Sequence, residues 1–216
     1  HEELSEVLKV RREKLQNLID MGRNPFEQTK YDVTDYSMQI KDNFEAKEGE
    51  TVKIAGRIVF MRKMGKLSFA RIRDLEGSMQ LEFKIDVVGE ENYSFFKKLI
   101  DIGDFIGALG EIFTTQTGEK TLRVQSFTFL GKALRPLPEK FHGLTDIDQK
   151  YRQRYVDLIM NEDSRKVFLG RSKFYAFVHK FLGEHGFLQV ETPIMQTAVC
   201  GAAAKPFFTH HNALNL

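Results

Sequence analysis

A single cysteine, Cys200, stands among the 216 residues. That excludes a disulfide framework and a cysteine-built zinc cluster. No apolar run approaches the roughly 20 residues of a membrane-spanning helix. No signal peptide is expected, because Glu2, Glu3 and Glu6 occupy the place of a basic leader segment. An excess of one charge is missing too: 32 Lys and Arg against 30 Asp and Glu give a net charge of +2. Such a chain is no polycation, so any nucleic-acid contact needs a local patch. The expectation is a reduced, cytoplasmic protein with no membrane partner. Apolar content is ample at 42%, enough for one large core or two small ones.

Residues 52–80 organise the chain. Three alternating runs begin there, and period two predicts half-buried strands. In the first run Val52, Ile54, Ile58 and Phe60 share one face. In the second, Ser68, Ala70 and Ile72 oppose Phe69, Arg71 and Arg73. In the third, Met79, Leu81 and Phe83 oppose Ser78, Gln80 and Glu82. Gly65 and Gly77 supply the turns. A lone Phe on a strand is more often core. Here the alternation sets Phe69 opposite the apolar face, among arginines, and Gln80 is expected on the same outer side. A flat ring with nearby cations suits an unpaired base and its phosphates, and an amide suits a base edge.

Further along, residues 90–101 have helical spacing, and strands are expected over residues 105–113 and 120–129, joined by a hairpin at 116–119. Five strands with a helix between the third and fourth is the order of an OB-fold. Gly107 and Gly110 suit the coiling of a small barrel. Ahead of it, residues 2–21 read as a helix with Leu4, Leu8, Leu15, Leu18 and Ile19 in a stripe that Arg11 interrupts. Lys9, Arg12 and Lys14 flank the stripe, either solvated or touching a polyanion. Residues 26–50 form a connector with one short helix. After the barrel, two prolines and two glycines within 131–144 predict a linker. Residues 151–159 predict a helix. A second helix is capped by Asp163, runs through Val167, Phe174, Phe177, Val178, Phe181 and Leu182, and closes at Gly186. Residues 187–193 predict a short strand. That is little to build a second core from.

Three segments carry a resemblance: ALRPLPEKFHGLTDIDQKYRQRYVDLI, GFLQVETPIMQ and GAAAKPFFTHHNAL. With them the sequence resembles the class II lysyl-tRNA synthetases of the bacterial type over nearly its whole length. The resemblance implies an α+β chain, mainly β in its first half. Residues 1–50 would be the helix and connector, 51–131 an OB-fold anticodon-binding barrel and 132–145 the linker. Residues 146–216 would begin the antiparallel α/β catalytic domain. In such enzymes ATP and Mg²⁺ serve lysine activation, and the lysyl group passes to the 3′ end of lysine tRNA. By motif position, the resemblance assigns Arg62, Phe69, Gln80 and Glu119 to the anticodon, above all its central uridine. It assigns Gly201 and Ala202 to the lysine pocket, and Pro193 to motif 1 at the interface of a homodimer. Cys200 stands where relatives usually carry glycine, which stiffens that loop.

Motifs 2 and 3, which hold ATP in such enzymes, are not found before Leu216, nor are the glutamates that grip lysine and metal. The expectation is therefore an N-terminal piece that binds tRNA and forms no adenylate, with no catalytic or metal residue of its own. His210 and His211 are adjacent, and on a strand neighbours point apart, so structural roles are expected for both. Two rival readings remain: a stand-alone OB-fold module for tRNA or other single strands, and a class II enzyme for aspartate or asparagine.

Overall fold

A computed structural model describes residues 5–138, 146–194, 203–205 and 208–215. The chain divides into two compact units, His1–Thr145 and Asp146–Leu216.

The first unit opens with α1 (Glu6–Asp20), a 3-10 turn (Pro25–Glu27), α2 (Ser37–Asp42) and α3 (Phe44–Lys47). Strands β1 (Thr51–Lys63), β2 (Leu67–Arg73) and β3 (Ser78–Lys84) follow. Helices α4 (Ile85–Val88) and α5 (Glu90–Leu99) lead to β4 (Phe105–Thr114) and β5 (Lys120–Gly131). The strands close into a barrel in the order β1-β2-β3-β5-β4. Only the β3–β5 contact is parallel.

The alternation read in β2 and β3 is observed. Ala70, Ile72, Met79, Leu81 and Phe83 are buried in the barrel core. Ser68 is inward too, and its hydroxyl is matched by the Tyr93 hydroxyl at 2.8 Å. Helix α5 contributes Phe96, which stacks on Phe83 with ring centroids 3.9 Å apart. Two glycines of β4 are required by close approach. A Cβ on Gly107 would lie 2.3 Å from the Tyr31 ring, and one on Gly110 would lie 2.1 Å from the Arg123 carbonyl oxygen.

In β1 the expectation fails at one residue. Phe60 is 46% exposed and not core. The β1–β2 register shifts between Ile58 and Phe60. A bulge of this kind inserts one unpaired residue and reverses the faces beyond it.

Helix α1 also differs from its expected stripe. Arg11 does not interrupt the buried side but belongs to it. Its guanidinium donates to the carbonyls of Ala133 at 2.7 Å and Ile102 at 3.0 Å. Leu18 is fully buried, whereas Ile19 is exposed. Lys14 donates to Asp101 at 2.6 Å. Buried Lys132 donates to Asp101 and Asp104, each at 2.7 Å. Lys132 and Ala133, expected in the linker, are thus fastened to this end of the barrel. Burial raises the Asp101 carboxyl, but hydrogen bonds from Lys132 and Lys14 outweigh it and hold Asp101 below its ordinary value. Burial pushes the Asp104 carboxyl up, and Lys132 with two backbone N–H groups offsets this only in part. Gly22 ends α1 at φ 68°. The Arg23 N–H reaches the Leu18 carbonyl and the Gly22 N–H the Ile19 carbonyl, the two bonds of a Schellman cap.

The second unit holds α6 (Ile147–Arg152), α7 (Arg154–Met160) and α8 (Glu162–Glu184). The single helix expected over 151–159 is two, because Gln153 leaves the helical region at φ −119°, ψ 55°. Asp146 caps α6 by accepting from the Gln149 N–H. Asp163 is not the cap of α8: the Asn161 carbonyl accepts the first helical bond, from the Arg165 N–H. Asp163 lies instead in the first turn, where its charge complements the helix dipole. Asp157 is buried and accepts from Arg154, Asn161 and Ser164, tying α7 to α8. Gly186 closes α8 with the same two-bond cap as Gly22. Residues 187–193 form no strand. A strand exists only through cross-strand hydrogen bonds, and no described strand pairs with this segment.

Candidate nucleic-acid interface

The register of the barrel builds its outer face row by row. Arg62 stands opposite Phe69, Phe69 opposite Glu82, and Glu82 opposite Arg123. The next row runs Phe60, Arg71, Gln80, Thr121 and Phe113. Phe60, Arg62, Phe69, Gln80, Glu82, Phe113 and Arg123 of these rows line a cleft of about 690 Å³, together with Lys84 and the start of the β4–β5 hairpin. Three cations, Arg62, Lys84 and Arg123, face one carboxylate, Glu82, in that lining. The cleft is therefore a local positive patch on a nearly neutral chain.

Each side chain has a defined state. Phe69 is half-buried and its ring is packed against no other ring among the described residues. Arg62 is exposed and has no ion-pair partner among the described residues. Glu82 is 5% exposed. Arg123 donates to it at 3.0 Å and Lys84 lies 3.5 Å away, so its charge is matched. The Arg123 guanidinium also lies over the Phe113 ring, 4.1 Å from its centroid.

The Gln80 amide is oriented by its neighbours. Thr121 gives its only hydroxyl proton to the Glu119 carbonyl at 3.0 Å, so it must accept from Gln80 Nε2, also at 3.0 Å. The second Nε2 hydrogen and the amide oxygen stay free of described partners, a donor and an acceptor for a base edge. Glu119 is more than a hairpin residue. Its carboxylate accepts from Arg71 at 3.1 Å, which draws the hairpin over the face. Gly118, at φ 83°, makes the turn before it.

Arg62, Phe69, Gln80 and Glu119 are thus on one face of one unit. The alternation of β5 also makes Arg123 legible, because it lies between buried Leu122 and Val124, and that of β4 makes Phe113 legible, because it follows buried Ile112, Gly110 and Ala108 at period two. Phe60 is not legible from alternation. On α1, the basic flank is reduced as a free surface: Lys14 is bound to Asp101 and Lys9 pairs with Glu6 at 3.2 Å, while Arg12 is exposed. Pro193 is exposed in the second unit. Gly201 and Ala202, with Cys200, lie outside the described residues.

Comparison with known proteins places both units. Residues 52–130 match the family described as OB-fold nucleic acid binding domain. Residues 146–216 match the class II tRNA synthetases (D, K and N). The chain is 51% identical over 215 residues to a lysine–tRNA ligase of Thermoanaerobacter pseudethanolicus, covering 100% of this chain and 43% of the relative. It is 50% identical over 216 residues to the lysine–tRNA ligase of Carboxydothermus hydrogenoformans, covering 100% and 44%. For that of Staphylococcus saprophyticus the figures are 48% over 223 residues, 99% and 45%. The chain spans less than half the length of these curated relatives. The chain is thus similar over its whole length to the N-terminal part of lysine–tRNA ligases, with an OB-fold nucleic acid binding domain followed by part of a class II tRNA synthetase domain.

Proposed function

We propose that this chain supplies the anticodon-reading part of a lysine–tRNA ligase, an enzyme that activates lysine with ATP and transfers it to the 3′ end of lysine tRNA in the cytoplasm. The observation that carries the reading is the outer face of the barrel. A ring, Phe69, stands between Arg62 and the Glu82–Arg123 pair, with the oriented amide of Gln80 one row away. In this reading Phe69 stacks the central uridine of the anticodon, Gln80 bonds its edge and Arg62 meets a phosphate. Glu119, held by Arg71, accepts from a neighbouring base. The names of the relatives support lysine over aspartate or asparagine as the amino acid.

Three further assignments rest on the likeness to these relatives alone. Pro193 and the segment before it would lie at a homodimer interface. Gly201 and Ala202 would approach lysine through their backbone, where small side chains leave room. ATP and Mg²⁺ would serve activation. Among the described residues no group of three or more His, Cys, Asp or Glu converges on a metal-sized site, so no ion is assigned to them.

The test is titration of an anticodon stem-loop carrying a central uridine. Phe69→Ala should weaken binding by about 1–3 kcal/mol, the worth of one stacked base. Gln80→Ala should narrow the preference for uridine over cytidine at that position. Binding should fall steeply with salt, because phosphate contacts release counterions. Superimposable curves for the wild type and Phe69→Ala would defeat the reading.

A further inference from the structure

In β1, Val52, Ile54 and Ile58 point into the core, and strict alternation would send Phe60 after them. The register shift after Ile58 prevents this. Beyond it Phe60 stands opposite Arg71, and Arg62 opposite Phe69. Four side chains therefore alternate ring and cation on the outer face, with Phe60 and Phe69 on one diagonal and Arg62 and Arg71 on the other. An outward Phe forgoes the hydrophobic stabilisation that burial of such a side chain brings. Bulges that re-aim a side chain in this way are concentrated beside functional sites.

The Phe60 ring is available. It lines the same cleft as Phe69 and Arg62, is 46% exposed, and packs against no other ring or cation among the described residues. Diagonal neighbours on a sheet stand roughly 7–8 Å apart. That is about twice the roughly 3.4 Å rise between stacked nucleotides of one strand. Two rings at this separation can hold one base between them or each take a base of its own, and a cation beside both rings, Arg62, suits the second arrangement. Each takes its own base, from nucleotides that have come apart, and Arg62 is placed between the rings to meet the intervening phosphate.

We propose that Phe60 is a second base-stacking platform, which holds the anticodon-loop nucleotide adjacent to the one on Phe69. This rests on the anticodon reading above and extends it from one unpaired base to two. The bulge at residues 58–60 is what makes the second platform, since without it the ring would be core.

The experiment is a binding cycle with the 216-residue chain and anticodon stem-loops that carry an abasic site at each anticodon position in turn. Phe60→Leu removes the ring and keeps an apolar side chain. Phe60→Tyr keeps the ring. On the intact stem-loop, Phe60→Leu should weaken binding roughly 5- to 160-fold, the range for loss of one stacked base, while Phe60→Tyr stays near wild type. One abasic site should abolish the penalty of Phe60→Leu, and a neighbouring one that of Phe69→Leu. Wild-type affinity for Phe60→Leu alongside weak binding by Phe69→Leu would overturn the second platform and leave the anticodon reading standing. Loss of both penalties at the same abasic site would also overturn it, because the two rings would then serve one base. A wild type that does not distinguish the stem-loop from a duplex RNA would remove the anticodon reading and this inference with it. Unchanged thermal unfolding of the variants confirms that binding alone is being read.

Discussion

In the first unit Phe83 and Phe96 are fully buried and stacked. In the second, Phe174 and Phe177 are each 62% exposed, and α8 has no buried residue along its 23 positions. Both regions are rich in aromatic residues, and they put them to opposite uses. The barrel closes on itself, so the inward side chains of all five strands and of α5 share one core. A helix has one apolar stripe and no means of covering it alone. What orders the second unit is therefore local: two-bond caps, i,i+4 contacts such as Phe177 on Phe181, and the Asp157 bonds between α7 and α8. Closure, not composition, separates the two.

Side-chain truncation should expose this difference most strongly. Phe83→Ala should cost the first unit about 3–5 kcal/mol, as large-to-small changes at buried aromatics do. Phe177→Ala in the same chain should cost less than about 1 kcal/mol. Urea titration with fluorescence and circular dichroism reads both. A cost for Phe177→Ala equal to that for Phe83→Ala would mean that α8 is packed as tightly as the barrel.

Glycine substitution should give opposite signs in the two units. Gly110→Ala forces a Cβ to 2.1 Å from a backbone carbonyl, and overpacking of this kind costs about 1–3 kcal/mol or more. Gly170→Ala in α8 meets nothing within 4 Å and should stabilise the helix by up to about 1 kcal/mol, the propensity gap between Gly and Ala. Thermal melts of the two variants should move in opposite directions.

The smallest expected effect is a pH dependence. Asp101 has a folded pKa below its unfolded value. Its contribution is present above the unfolded pKa, near 4, and is lost as pH falls through the folded one. Asp104, with a raised pKa, acts in the opposite sense: its contribution is present at low pH and lost as pH rises through its folded value. Acidification should thus loosen the attachment of α1 with a shallow slope. Asp101→Asn should flatten the acid limb of a melting-temperature profile further. An acid limb unchanged in Asp101→Asn would remove Lys14–Asp101–Lys132 as the fastening of α1.

Much of the candidate site was legible because β2 and β3 are regular. Where alternation holds, burial of Ala70, Ile72, Met79 and Leu81 dictates that Phe69, Arg71 and Gln80 face out. Nothing in the composition of β1 marks the extra residue before Phe60, because a bulge is decided by pairing with β2. The direction of Arg11 was hidden for a similar reason. A guanidinium is buried only when carbonyls are there to accept from it, and those of Ile102 and Ala133 come from segments about 90 and 120 residues away in sequence. The strand expected at 187–193 had the right residue types, but β-propensity has no effect without a partner strand.

By itself the sequence determined what depends on a residue and its near neighbours. That covers the five strands, the inward sets of β2 and β3, the helix stops at Gly22 and Gly186, and the family words that name the chain's relatives. Periods and caps are local, so they survive in a one-dimensional reading. Only the tertiary structure decided which outward residues meet. It set Arg62 across from Phe69, paired Glu119 with Arg71, gave Glu82 its two cations and turned Phe60 outwards. Those contacts join segments far apart in the chain. Their geometry comes from strand register and barrel closure, which no single segment encodes.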